Sequence, residues 1–265
     1  MTQIVKRVLL GCAAVLEILR ASALGVPHGF TTRAGGVSPA PFDALNLGIN
    51  TADAPEHVAR NTLRLLEHER IAPGALSTLE QVHGTVVHEA KASGGTALAA
   101  PLGAGDAVWT EQPGAVVGVR VADCVPVLLV DPEGRRVAAV HAGWRGAVHG
   151  VLEAAIAALK ARGTRPAALR AAVGPHLLSC CFEVGDEVAE QFQARFERVV
   201  IRTGAGKPHV SLLGSVRQIL EGAGVTRVEA LEHCTSCDPR FFSHRRDRGQ
   251  TGRHLAYVRC AFEGA

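Results

Sequence analysis

The chain has 265 residues, a formal charge of +3, 47% hydrophobic and 20% charged residues, a length that buries about 70–75% of the unfolded surface in one core. The near-balanced charge, with no basic run beyond "HRRDR" (244–248), gives no electrostatic case for nucleic acid, and 4% aromatic content offers no stacking platform for single strands. Seven cysteines, an odd number without framework spacing, point to a reducing compartment and to cysteines used for packing or chemistry.

Lys6-Arg7 followed by "VLLGCAAVL" superficially looks like a secretion signal, but the apolar run Val8–Gly11 is shorter than the roughly 7–15 residues a signal core needs. The expectation is an amphipathic helix within residues 1–25 and a cytoplasmic protein with no membrane partner. "HGFTTR" (28–33) reads as a strand, followed by the Gly/Pro-rich "AGGVSPAPF" and the short "LNLG". Asp53-Ala-Pro-Glu56 reads as a capping box opening a helix through about Arg70. "LSTLEQVHGTVVHEA" alternates as a strand broken at Gly84, putting Leu79, Gln81 and His83 on one face. "DAVWT" and "GAVVGVRVADC" are further strands. No linker composition interrupts the chain, so residues 1–265 are expected to form a single domain.

Next comes an apolar hairpin. Val125–Val130 and Val137–Val140 are β-branched and aliphatic, and Asp131-Pro132-Glu133-Gly134 between them is turn chemistry. A turn centred on Glu133 and Gly134 sets Cys124 opposite a residue close to Gly143, with His141 one diagonal step away. "GAVHGVLEAAIAALKARG" then reads as one helix ended by Gly163, "LRAAVGP" as a strand, and "GDEVAEQFQARF" and "SLLGSVRQILEGAGV" as helices. "RVEALEH" and "GRHLAYVRC" close the chain as strands. Strands outnumber helices and come in runs as well as in alternation. This indicates an α+β (mixed) class, with mixed sheets and helices packed outside, rather than a doubly wound parallel sheet.

Three residues carry the chemistry: His83 in "EQVHG", Cys124 in "ADC" and His141 in "VHAGWRG". Two imidazoles and a thiolate suit zinc and leave a fourth place for water or substrate. The same groups make a Cys/His nucleophile, and the plainest alternative is a core thiol beside two satisfied turn histidines. Cys180-Cys181 reads as packing or loop sequence, and Cys234-Thr-Ser-Cys237 as a lone CxxC lacking two further zinc ligands. Arg33 and Arg245-Arg246 lie in loop sequence that suits phosphate or carboxylate. Dinucleotide, Walker and nucleophile-elbow motifs are absent.

"HGFTTRAGGVSPAPFDALNLG", "QVHG", "DAVWT", "VADCVPVLLVD", "VHAGWRG", "VGP" with "CCFEVGDEV", and "FFSHRRDRGQTGR" together resemble, in order, the YfiH-like laccase-domain family over about residues 28–258. The resemblance implies a CNF/YfiH-like fold, a four-layer sandwich of mixed β-sheets flanked by α-helices. It implies a metal, Zn2+ or by substitution Cu2+, held by His83, Cys124 and His141, which are then also the catalytic residues. The implied activity is purine nucleoside phosphorolysis: adenosine, inosine and methylthioadenosine react with phosphate to give free base plus ribose 1-phosphate, with adenosine deamination besides. Arg33, Asn46 and Arg245 are the substrate-binding residues expected by motif position, and a purine nucleoside and phosphate are the expected partners. The proton carrier is open among Asp106, Glu183 and a water held by Gln81. Two other activities stay in view: a Cys/His amidase editing peptidoglycan precursors, and copper-dependent polyphenol oxidation. A multicopper centre needs paired His-x-His motifs, and the 12 histidines form none. Phe182 stands where the family commonly has Tyr.

Overall fold

The computed structural model describes residues 15–91, 95–204 and 206–261. Two mixed sheets stack face to face. One has five strands in the order β1 (Ile18–Leu19), β2 (His28–Thr31), β13 (His254–Arg259), β6 (Val116–Val121) and β3 (Leu76–Ser77). The other has six: β12 (Arg227–Ala230), β9 (Arg170–Val173), β7 (Val125–Val130), β8 (Val137–Ala142), β5 (Ala107–Thr110) and β4 (Val87–Glu89). A small ribbon of β10 (Val200–Ile201) and β11 (His209–Val210) lies apart.

Alternation along the strands divides the core into layers. In β7 and β8, Leu128, Val130, Val137 and Ala139 meet Val117, Val119, Ala256 and Val258 of the other sheet. Their neighbours Val127, Leu129, Ala138 and Val140 pack beneath α3 (Val151–Ala161), α4 (Asp186–Gln193) and α5 (Leu212–Gly222). On the far side, α1 (Pro55–His68) covers the five-stranded sheet through Leu65 and Leu66 against Val116, Leu255 and Tyr257. The result is the expected four-layer sandwich. It also explains why β7 reads as an unbroken apolar run: it is buried on both faces. No helix among the described residues is long and apolar enough to cross a membrane.

The hairpin forms in the expected register. Pro126 pairs with His141 and Val125 with Ala142, which sets Cys124 opposite Gly143. Gly134 N–H donates to Asp131 O at 3.0 Å, and Asp131 Oδ1 accepts from Arg135 N–H at 2.8 Å.

Four expectations are corrected. The N-terminal helix falls largely on residues 1–14, outside the described residues, and Ile18–Leu19 is a strand paired with β2. Asp53 does not cap α1. Ala54 is the N-cap without a side-chain bond, while Asp53 accepts from Asn46 Nδ2 and lies 3.1 Å from His57 Nδ1. The long helix after β8 is two, α2 (Trp144–His149) and α3, because Gly150 turns left-handed at φ 98° between them. The strand expected over "LSTLEQVHGTVVHEA" survives only at its ends, as β3 and β4. The stretch around His83 is loop, held by a side chain rather than by a ladder.

Candidate metal centre and its cleft

Cys124 and His141 face the gap between the sheets, since each shares the parity of the inter-sheet residues on its own side of the hairpin. His83 reaches them from the loop between β3 and β4. The three ligand atoms lie within 4.8 Å of one another. A Cβ on Gly143 would sit 2.7 Å from His83 Cδ2 and 3.3 Å from Cys124 Sγ, so only glycine lets the imidazole lie over the strand end.

Two residues here have left-handed backbone, His83 at φ 60° and Asp123 at φ 87°. Such strain, of order 1–3 kcal/mol each, persists where the surroundings impose it. At His83 the surroundings are Asp106, a fully buried carboxylate. Its Oδ1 accepts from His83 N–H at 2.9 Å and His141 Nδ1 at 2.7 Å, and its Oδ2 from Gly84 N–H at 2.6 Å and Val82 N–H at 3.2 Å. Burial alone would raise this carboxyl, but the His141 bond and the backbone N–H groups outweigh it and hold it below its usual range. One carboxylate therefore places two of the three candidate ligands. With Nδ1 taken by Asp106, His141 has its other nitrogen for Cys124, a carboxylate–histidine relay typical of metal sites.

The donor set fits a metal ion. Cys124 Sγ and His83 Nε2 are 3.7 Å apart, and two ligands sharing a tetrahedral zinc would be separated by roughly 3.5 Å. Two nitrogens and one thiolate suit Zn2+, and Cu2+ binds such sites more tightly. Burial opposes ionisation of Cys124, yet the charge and hydrogen bond of His141 and the bond to His83 bring its thiol down to about 6. Burial likewise opposes the His141 cation, but the Cys124 charge and the Asp106 bond push it up to about 9. Between these values the pair holds one shared proton, which a metal must displace. Zinc uptake near pH 7.5 is therefore expected to release about one proton per ion from the pair, with apparent affinity rising about tenfold per pH unit through this window. Titration calorimetry in buffers of different ionisation heat measures this directly, and buffer-independent heats would contradict it.

The three groups open into a cleft of about 360 Å³, within the usual range for small-molecule sites. Its apolar lining includes Leu79, Leu177 and Phe182, and its basic lining Arg120, His244, Arg245 and Arg253. Sequence reasoning missed Arg253, His244 and, above all, Arg120. Its Nε donates to Leu47 O at 2.7 Å, but one terminal nitrogen is buried with no partner among the described residues. Burial pushes the guanidinium down to about 10, and no carboxylate among the described residues offsets it. The Gln81 amide clasps the Arg120 backbone at both N–H and C=O, at 2.8 and 2.6 Å. A lone arginine within the valine strand "VVGVRV" was the available signal.

Of the expected substrate contacts, Arg245 lines the cleft, and its guanidinium also donates to Glu183 O at 3.0 Å. Asn46 does not line it. This residue is fully buried, its amide donating to Thr51 and Asp53 and accepting from the N–H of Gly48 and Arg253, so it braces two pieces of the wall from behind. Arg33 does not line it either; it pairs with Asp43 at 2.9 Å and stacks on Phe242. Of the proton-carrier candidates, Asp106 accepts four hydrogen bonds, Gln81 holds the Arg120 backbone, and the Glu183 carboxylate lies 3.6 Å from Lys207 Nζ.

The family model for multi-copper polyphenol oxidoreductase laccase matches residues 27–261. The chain belongs to this family. It is 41% identical over 92% of its length to a Deinococcus radiodurans protein named purine nucleoside phosphorylase, of which 92% is covered. It is likewise 37% identical over 86% of its length to a Corynebacterium glutamicum purine nucleoside phosphorylase, covering 92% of it. Among solved structures, YfiH of Bacillus licheniformis aligns with a TM-score of 0.83 at 32% identity, over 88% of this chain and 92% of that one. NMB0706 of Neisseria meningitidis aligns at 0.82 and 36%, over 93% and 99%. For this laccase-domain chain the copper in the family description meets one histidine-bearing cluster among the described residues, with two imidazoles. That is too few nitrogens for a multicopper centre.

Proposed function

We propose that the chain is a zinc-dependent purine nucleoside phosphorylase, acting on adenosine, inosine and methylthioadenosine, with adenosine deamination at the same centre. The observation that carries this reading is Arg120. A half-buried guanidinium, one nitrogen of which is buried without a partner among the described residues, shares one cleft with Arg245, Arg253, His83, Cys124 and His141. A half-buried cation with an unpartnered donor suits an anionic co-substrate, and the naming of the curated relatives as purine nucleoside phosphorylases agrees with phosphate.

Phosphate oxygen attacks the anomeric carbon as the bond to the purine nitrogen breaks, and the departing base takes up a proton. A divalent ion at the His83–Cys124–His141 site supplies Lewis acidity when bound. Arg120, Arg245 and Arg253 bind and orient the phosphate. Phe182 and Leu177 cover the base and exclude water. His244, which also lines the cleft, is assigned the proton for the leaving purine, since an imidazole ring N–H can donate to it. Asp106 carries no proton; it positions.

Arg120→Met keeps the aliphatic bulk and removes the charge. The KM for phosphate is expected to rise about 10- to 100-fold, the equivalent of roughly 1.5–3 kcal/mol for a hydrogen bond to a charged group, with the KM for adenosine little changed. Steady-state kinetics at varied phosphate measures both constants, and an unchanged phosphate KM would remove Arg120 from the site.

A second reading rests on the Asp106–His141–Cys124 arrangement, which has the order of a thiol hydrolase triad and would suit an amidase. Chelation separates the two. It stops phosphorolysis on the first reading and leaves amide hydrolysis intact on the second.

A further inference from the structure

Behind the cleft wall, Cys180, Cys181, Cys234 and Cys237 converge, with all four sulfurs within 4.8 Å of one another. They are free thiols, and Cys237 Sγ lies 3.3 Å from that of Cys181 and 3.8 Å from that of Cys180. Four thiolates on one zinc, at about 2.3 Å each, occupy a tetrahedron with edges of roughly 3.8 Å. The isolated CxxC of the sequence thus finds its two missing partners 53 to 57 positions upstream, in the adjacent pair Cys180-Cys181. The backbone brings the segments together before any sulfur is counted. His176 and Cys234 form a parallel bridge, with Thr235 N–H donating to His176 O at 3.0 Å.

We propose that these four cysteines form a second, structural metal site, closed by four thiolates and filled by Zn2+. Its place in the fold gives it a task. Leu177 and Phe182, on either side of Cys180-Cys181, line the cleft. Thr235, next to Cys234, donates to Asp123 Oδ1 at 2.6 Å, one residue before Cys124. An ion there clamps the apolar wall and the Cys124 loop to a common anchor, with no open position for chemistry of its own.

The test uses the Cys124→Ala protein, in which the first site is broken. After anaerobic loading with zinc and dialysis against metal-free buffer, elemental analysis is expected to find one retained zinc per chain. Adding Cys180→Ser and Cys237→Ser should remove it. Should that variant fail to fold, cobalt loading of the Cys124→Ala protein decides instead, because four thiolates give Co2+ intense sulfur-to-metal charge-transfer absorption. No retained zinc and no such absorption, or a chain lighter by two hydrogens per disulfide among these four cysteines, overturns the proposal.

Discussion

Replacing Cys124 with alanine is expected to lower kcat/KM for adenosine phosphorolysis by on the order of 10³-fold, since a Lewis acid contributes several kcal/mol of charge stabilisation. The substitution deletes the one sulfur of the donor set and leaves two imidazoles, too few to hold zinc in competition with buffer. The fold should survive. Cys124 sits at the open end of the β7–β8 hairpin rather than in its packed interior, and His141 keeps its Asp106 partner. Circular dichroism should superimpose on wild type, with a melting temperature shifted by only a few degrees. Cys124→Ser should fall between the two, because a hydroxyl is a poorer zinc ligand than a thiolate. Retention of a tenth or more of wild-type activity in Cys124→Ala would take the residue out of the chemistry.

Asp106→Asn is expected to damage stability and metal binding together. The buried carboxylate accepts four hydrogen bonds; an amide offers one oxygen and brings two donors toward N–H groups that need acceptors. Leaving those donors and the His141 imidazole unpaired should cost roughly 3–5 kcal/mol, the range for breaking a buried charged partnership. Zinc affinity should fall about 10- to 100-fold as His141 and His83 lose their orientation. The pH dependence carries a sign. Asp106 is depressed in the folded state, so its contribution is complete above the unfolded carboxyl value, near pH 4, and is lost as pH falls through its lower folded value. The stability gap between wild type and Asp106→Asn, read from urea midpoints, should therefore be full at pH 6 and narrow below pH 4. A gap that is small at pH 6, or that does not change with acid, contradicts this role.

The hairpin was legible because two rules agree on it: apolar side chains alternate, and Asp-Pro-Glu-Gly locates the turn, so Cys124 and His141 were placed together at its open end, to within a residue of register. His83 was identified but set on the wrong backbone. Alternating "LEQVH" looks like strand, yet its conformation is imposed by the Asp106 side chain, 23 residues away, and no local pattern records that partner. The helix after β8 looked continuous because its apolar spacing runs through Gly150, whose left-handed backbone ends α2 and opens α3. Asn46 and Arg33 were expected at the substrate by motif position. Asn46 braces the cleft from behind, and Arg33 lies with Asp43 and Phe242. The four-cysteine cluster depends on bridging residues 176 and 234, a contact that sequence spacing does not reveal.

On the proposed reading, phosphate held by Arg120 and its neighbours is a reactant at the His83–Cys124–His141 centre. Chromatography of adenosine incubated with the zinc-loaded protein, with and without phosphate, tests it most directly. Adenine and ribose 1-phosphate in equal amounts, only when phosphate is present, are the predicted products, with inosine from deamination independent of phosphate. Adenosine left intact in the presence of zinc and phosphate, or adenine released equally without phosphate, would contradict it.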